Sequence, residues 1–445
     1  MERKTGPIMD SETYYRSIRD FIFRYISPTH ILKEKSNPKS PVRDEIRNLA
    51  LRAIQESKRI LPIDYQEQLI QRLLNEIFGF GIIQPLLDDV DVAEIMIIGP
   101  DQVYIEQNGR LKLTDYKFDS EAQIMQIIDR IVSPIGRRID ESSPLVDARL
   151  PDGSRINAVI PPIAVKSPTL TIRKFKTGIL DYQSLIRLGS MTPMAAQFID
   201  LCVKSRMNIL ISGGTGSGKT TLLNVCSSSI PSDERIITIE DSIELKLLQP
   251  HVVSLEGRPA NIEGQGKVAI RDLVINSLRM RPDRIVVGEV RGPEAFDMLQ
   301  AMNTGHDGSL STIHSNSPKD AVSRLVSMVY MAGIEMPVYV IREIIYGAVE
   351  LVIQTSRLPD GSRKIISVTS LDSFSNDQVQ LHDIFRFEWS DQTTEDGKII
   401  GEYRFNGIGN RLTDKIRRLS HSYPEAGEFL KACEKEEGQY QHEHA

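Results

Sequence analysis

The spacing of apolar residues changes along this chain, and each change marks a different kind of element. Between residues 14 and 26, Tyr14, Ile18, Phe21, Ile22 and Tyr25 recur at helical intervals, while Arg16, Arg19 and Arg24 fall elsewhere around the turn. The stretches 41–60 and 66–78 keep that period. In the second, Leu69, Ile70, Leu73, Leu74, Ile77 and Phe78 form one apolar face, and Gly79 suits the C-terminal cap. From Ala93 the period falls to two, and VYIEQNGRLKL around Asn108-Gly109 predicts a hairpin. Residues 120–132 return to helical spacing, with Ser120 and Gln123 placed for a capping box. Strands follow at 145–149 and 154–159, joined by the turn Pro151-Asp152-Gly153, and again at 169–175. Thr192-Pro193 then opens a helix with a capping hydroxyl and a proline in the first turn. Beyond it, continuous apolar runs alternate with helical stretches: MNILIS (207–212), RIITIE (235–240), RIVVGE (284–289), GSLSTIH (308–314) and AVELVIQ (348–354).

Strands alternating with helices predict an α/β domain with a mostly parallel sheet of the P-loop type, preceded by an α+β domain whose sheet is mostly antiparallel. The expected boundaries are a flexible or helical leader at 1–42, the α+β domain at 43–180, a linker at 181–190, the α/β domain at 191–430 and a polar, frayed tail at 431–445. The leader helix could dock on a partner or an anionic membrane face. The simpler reading packs it on its own domain.

Composition narrows the function classes. A chain of 445 residues is too long for one core, and 40% hydrophobic with 26% charged residues is ordinary for a soluble globular protein. A net charge of −6 supplies no footprint for nucleic acid, so none is expected as a partner. Cys202, Cys226 and Cys433 are scattered, which leaves neither a disulfide framework nor a zinc site and fits a reducing cytoplasm. No run approaches a membrane span, so membrane contact is expected to be peripheral or through partners.

The chemistry centres on GGTGSGKT, residues 213–220, which fits G-x-x-x-x-G-K-[ST] between a predicted strand and a predicted helix. Gly213, Gly214, Gly216 and Gly218, with Thr215 and Ser217 between them, let successive N–H groups face an anion at a helix N-terminus, where Thr221 continues the chain. Lys219 adds a point charge for the β- and γ-phosphates of ATP, and the Thr220 hydroxyl is placed to hold Mg²⁺. Two acidic clusters end later strands: Glu240, with Asp241 and Glu244, and Glu289. Phosphoryl transfer to water needs a held metal and a group that orients or deprotonates the water. Glu240 is assigned to the water and Glu289 to the metal side, through a water ligand, and the reverse split stays open. His306 and His314 lack a third ligand for a metal, and a histidine that senses the γ-phosphate is the better idea. Arg155, Arg173, Arg279, Arg291 and Arg324 are candidate phosphate clamps.

The order GGTGSGKT, ITIEDSIEL, RIVVGEVRGPEA and TGHDGSLSTIHSNSP resembles the type II/type IV secretion ATPase superfamily, as its Walker A, Asp box, Walker B and His box. Residues 78–111, SPLVDARLPDGSRINAVIPP (143–162) and LHDIFRFE (381–388) are similar to its CpaF branch, the motor of tight-adherence (Flp-type) pili, so the resemblance spans roughly 45–410. It implies a RecA-like P-loop domain in a homohexameric ring, each N-terminal domain clamping nucleotide against the next subunit. ATP hydrolysis would then drive pilus subunits through an inner-membrane platform, with the motor cytoplasmic and peripheral at that membrane. By motif match Glu240 is the catalytic glutamate, Glu289 the Walker B residue, and His306 and His314 the His box. Arg155 in SRINAV and Arg173 in TIRKF match N-domain arginines that reach nucleotide. The tetracysteine zinc module of the general secretion and pilus-extension branches is absent from the sequence. Two alternatives remain: a conjugation-like ATPase exporting DNA or effectors, and a nucleotide-gated scaffold with little turnover.

Overall fold

Apolar stripes at helical spacing make the first part of the chain pair helix against helix before any strand appears. The computed structural model describes residues 11–27, 29–31, 40–59, 61–107, 109–175, 180–258, 260, 265–394 and 397–443. It divides into two units, Met1–Lys176 and Thr177–Ala445.

In the first unit, helices Ser11–Tyr25, Pro41–Glu56 and Ile63–Phe78 share one core. Tyr14, Tyr15, Ile18 and Ile22 of the first helix bury against Ile46, Ala50, Ile54, Ile70 and Leu73. The leader helix therefore buries Tyr14, Ile18 and Ile22 of its apolar face inside its own unit, in line with the simpler reading, while Tyr25 stays exposed. Gly79 caps Ile63–Phe78 in extended rather than left-handed geometry (φ −106°), and a Cβ there would lie 2.5 Å from Gln84 Oε1. That atom is the end of a flexible side chain, and the Asn75 carbonyl at 3.0 Å is the firmer limit on an added methyl group. Asn108 of the predicted hairpin and residues 32–39 of the expected leader lie outside the described residues.

The strands β1 (Val92–Ile98), β2 (Val103–Gln107), β3 (Arg110–Leu113), β4 (Leu145–Arg149), β5 (Arg155–Val159) and β6 (Thr169–Arg173) form a sheet ordered β3-β2-β1-β6-β5-β4, with every pairing antiparallel. Alternation puts Ile95, Ile97, Ile105, Ile156, Leu170 and Ile172 on one face, against Ile124, Ile127, Ile128 and Ile131 of helix Glu121–Val132. The capping box expected there is absent. Ser120 makes no side-chain cap, and Gln123 Oε1 accepts from the Asp119 N–H at 2.9 Å, one residue earlier than the motif requires.

The second unit holds β7 (Ile209–Gly213), β8 (Ile236–Glu240), β9 (Val252–Glu256), β10 (Arg284–Val290), β11 (Leu310–Ile313), β12 (Leu351–Arg357), β13 (Arg363–Ser375), β14 (Gln378–Thr393) and β15 (Ile399–Phe405). Their order is β15-β14-β13-β12-β7-β11-β10-β8-β9. The run from β12 to β9 is parallel and β12 to β15 antiparallel. Parallel strands covered on both faces need apolar residues at every position. Accordingly Ile209 and Ile211 pack beneath helices Pro193–Lys204 and Lys219–Ser228, while Leu210, Ile237 and Val287 pack under Glu294–Asn303 and Pro318–Met331.

Two local expectations change here. The stretch taken as linker contains the helix Tyr182–Arg187, capped by Asp181, whose carboxylate accepts from the Ser184 N–H at 2.7 Å. The tail expected to fray continues the helix Pro424–Glu443, which buries Ala426, Phe429, Leu430 and Cys433. Among the described residues, no helix is long and apolar enough to cross a membrane.

Candidate functional site

Parallel strands send all their carboxyl ends to one edge, so the residues after β7, β8, β10 and β11 gather there. β7 ends in the glycine loop. Gly213 must be glycine because a Cβ would lie 2.3 Å from Thr355 Oγ1 and 2.6 Å from the Thr355 carbonyl. Gly218 enters helix Lys219–Ser228 at φ +99°, and no side chain caps that helix. A helix N-terminus at the end of such a loop is the kind of place where an anion binds. Lys219 Nζ donates to the carbonyls of Gly213 and Gly214, both at 3.0 Å, which arches its charge over the loop. Thr220 and Thr221 follow in the first turn, half-buried.

β11 lies between β7 and β10, with Ile313 opposite Ser212. The next residue, His314, consequently leaves the sheet beside the loop, and its Nε2 lies 3.1 Å from Thr215 Oγ1. His306 precedes β11, at the amino edge of the same sheet, where its carbonyl accepts from Ser309 Oγ at 2.8 Å. The fold therefore brings only His314 to the loop and separates the two histidines by the length of a strand.

β8 is buried along its whole length, and Glu240 at its end is 4% exposed. Its Oε1 accepts from the N–H groups of Glu244 (2.9 Å) and Leu245 (3.2 Å), which fix the carboxylate in the turn after the strand. Gly288 on β10 makes room for it, since a Cβ there would lie 2.8 Å from Glu240 Cγ. Glu289 sits in an irregularity of the β10–β11 pairing, between the rungs Val287↔Ser311 and Val290↔Ile313. An extra residue in a strand re-aims its side chains. Thr312 Oγ1 holds the irregular stretch by donating to the Gly288 carbonyl at 2.7 Å.

The candidate arginines fall at separate places in the fold. Arg291 Nη2 pairs with Glu289 at 2.6 Å, and its Nη1 lies 3.6 Å from Asp241, so it bridges the acids ending β10 and β8. The hydrogen bond to Glu289 raises the Arg291 pKa. Arg279 lies in the turn after helix Ile270–Ser277 and donates back to the Ile275 carbonyl of that helix at 3.2 Å, before β10 and at the amino edge. Arg324 is an exposed residue within Pro318–Met331. In the first unit, Arg155 stands directly opposite Arg173, and Arg149 opposite Arg155. Arg173 is opposite Glu94 in turn, with Nε and Oε1 3.5 Å apart. Residues facing each other across strands share a sheet face. The result is a row of three arginines followed by a carboxylate.

Sequence reasoning missed Arg149, Gly288, Thr355 and Arg363. Thr355 Oγ1 donates to the Ser212 carbonyl at 3.1 Å and lies 2.8 Å from Ser217 Oγ, while Arg363 Nε donates to the Gly216 carbonyl at 2.8 Å. Nothing near the glycine motif announces residues about 140 positions away. One signal was readable: the heptapeptide RLPDGSR occurs twice, at Arg149–Arg155 and Arg357–Arg363.

The sequence profile described as type II/IV secretion system protein matches residues 76–398, most of both units. The chain belongs to that family. A putative conjugal transfer protein of Mycobacterium tuberculosis is 34% identical over 336 residues, covering 71% of this chain and 95% of the relative. The type IV secretion system protein VirB11 of Bartonella henselae is 32% identical over 324 residues, covering 64% of this chain and 90% of its own. The solved structure of the pilus retraction motor PilT with bound ADP overlays with a TM-score of 0.50 at 19% identity, covering 77% of this chain and 87% of that one. That likeness concerns the fold, and the type II/IV secretion family member described here has the RecA-like architecture expected of it. The family is one of secretion ATPases, which agrees with nucleotide binding in general.

Proposed function

We propose that this chain is the ATP-hydrolysing motor of a pilus or secretion machine, and that ATP sits with its β- and γ-phosphates in the loop 213–218. The observation that carries the reading is the convergence at one sheet edge of an uncapped helix N-terminus, Lys219, His314, Glu240 and Glu289. Lys219 would exchange its two carbonyl acceptors for phosphate oxygens, and the loop N–H groups would hold the β-phosphate. Among the described residues no cluster of three His, Cys, Asp or Glu side chains could hold a metal. Mg²⁺ is ordinarily bound by one or two protein ligands plus substrate phosphates, so Thr220 and, through water, Glu289 suit it, and it would neutralise charge on the phosphates. Glu240, fixed by two N–H donors, orients or deprotonates the attacking water. His314 reports on the γ-phosphate through its contact with Thr215.

The finer reading is a CpaF-like homohexamer, cytoplasmic and peripheral at a bacterial inner membrane, that powers pilus subunits through a platform. Arg155 and Arg173 would complete a neighbour's site. A second reading, a conjugation-like transfer ATPase, is favoured by the descriptions of the M. tuberculosis and Sinorhizobium fredii relatives as a putative and a probable conjugal transfer protein. Loss of surface pili against loss of DNA transfer in a deletion strain separates the two. Phosphate release by the purified chain tests the motor itself. Lys219→Ala should reduce it to background, and Glu240→Gln should slow it about a hundredfold or more while the assembly persists. Undiminished turnover in either variant contradicts the assigned role, and a wild-type chain that binds nucleotide without turnover is a scaffold instead.

A further inference from the structure

The same seven residues, Arg-Leu-Pro-Asp-Gly-Ser-Arg, stand at Arg149–Arg155 in the first unit and Arg357–Arg363 in the second. Average composition puts a chance repeat of that length in a chain this long below about one in a thousand. Both copies fold alike. Asp152 and Asp360 each accept from the serine N–H two residues on at 2.9 Å, and Gly153 and Gly361 take φ +92° and +84°. Each turn joins two strands so that its terminal arginines face each other, Arg149↔Arg155 and Arg357↔Arg363. Like charges directly opposite destabilise a hairpin. Each arginine of these pairs therefore answers to groups other than its facing arginine.

In the second copy such a group is visible. Arg363 Nε donates to the Gly216 carbonyl at 2.8 Å, and its Cδ lies 3.5 Å from where a Cβ on Gly218 would be. The backbone behind that guanidinium is anchored: Ser190 Oγ donates to the Arg363 carbonyl at 2.7 Å, and the Ile365 N–H donates to the Ser190 carbonyl at 2.9 Å. On the facing strand Thr355 touches Ser212 and Ser217. The hairpin thus grips the glycine loop at Ser212, Gly216 and Ser217.

We infer that the β12–β13 hairpin is a built-in clamp on the phosphate loop, with Arg363 as a positioning residue that raises affinity for nucleotide through Gly216. The inference rests on the nucleotide reading above. A peptide unit whose carbonyl takes a charged donor is polarised, and its N–H, here that of Ser217, becomes a stronger donor. That N–H makes only a long 3.4 Å bond to the Gly214 carbonyl, which a phosphate oxygen can replace. Gly216 and Gly218 also carry positive φ (+71° and +99°), and glycines lose the most freedom on ordering. A clamp that orders them beforehand removes that cost from binding.

The test uses the full chain, a fluorescent ADP analogue, steady-state ATP hydrolysis and thermal unfolding. Arg363→Gln should weaken ADP binding and raise the KM for ATP by roughly tenfold, the scale of one charged hydrogen bond, with kcat within about twofold. Arg363→Lys, which keeps the charge but not the planar fork, should recover part of the affinity. Unchanged affinity in Arg363→Gln overturns the clamp. So does a loss of affinity matched by a lowered unfolding temperature, because the hairpin itself has then collapsed. A wild-type chain that binds no ADP overturns the functional reading and this one with it.

Discussion

Gly288 and Glu240 show what one missing methyl group does for this site. The buried Glu240 carboxylate is aimed by two N–H donors, and the space beside its Cγ exists only because β10 carries a glycine at that rung. A Cβ 2.8 Å from Glu240 Cγ and 3.3 Å from its Oε1 is too close to stand, so an alanine there should displace the carboxylate. Misplacing a catalytic group by about 1 Å can cost about a hundredfold. Gly288→Ala should therefore lower kcat between roughly tenfold and a hundredfold. ADP affinity should hold, since Gly213–Thr221 is untouched. Turnover equal to wild type would mean that Glu240 does not act on the water. At this scale the sequence was readable where chemistry is local. GGTGSGKT declares its loop because glycine, lysine and threonine act on neighbours in the chain. Gly288, Thr355 and Arg363 act through strand pairing, which no local spacing encodes. The sequence could show two histidines but not that strand β11 would carry them to opposite edges.

Strands within the parallel sheet were legible because burial on both faces writes a continuous apolar run, as in RIITIE and RIVVGE. The antiparallel extension β13–β15 was not read as strands. Its outer part is half solvated, and Ile399–Phe405 mixes apolar with charged positions, so its pattern resembles an exposed loop. β9 is half-exposed in the same way. Helix caps were legible in part. Thr192 Oγ1 accepts from the Ala195 N–H at 3.2 Å as expected, whereas Gln123 serves Asp119 and leaves Ser120 uncapped. One strand is fixed by a buried charge that its pattern gives no hint of. Arg284, fully buried at the start of β10, pairs with Glu234 and donates to the Gly308 carbonyl at 3.1 Å. Breaking a buried pair from one side leaves an uncompensated charge and costs about 3–5 kcal/mol. Arg206 also holds Glu234, at 3.0 Å, which places the expectation at the lower end. Arg284→Ala should lose about 3 kcal/mol in urea unfolding, seen as a lower midpoint at unchanged slope. An unshifted midpoint would show that Arg206 alone suffices.

At the scale of the molecule, the phosphate loop and the arginine row belong to different units, and catalysis by the second unit alone does not explain why the first keeps Arg149, Arg155 and Arg173 abreast. Glu94 stands beside Arg173 at one end of the row, with Nε and Oε1 3.5 Å apart. If the row meets the γ-phosphate in a neighbouring subunit, as the motor reading holds, Arg173→Ala should leave ADP affinity largely intact and slow hydrolysis at least tenfold or so. The same reading predicts complementation. Arg173→Ala and Glu240→Gln chains are each poorly active alone. Mixed in one assembly, an interface with Arg173 from one chain and Glu240 from the other has both groups intact, and phosphate release should rise above the sum of the parts. An arginine acting on its own chain's loop could never be restored by mixing, because each subunit would still lack one of the two. Phosphate release that merely averages the two mutants would therefore rule out the shared site, and a normally active Arg173→Ala would remove the row from catalysis altogether.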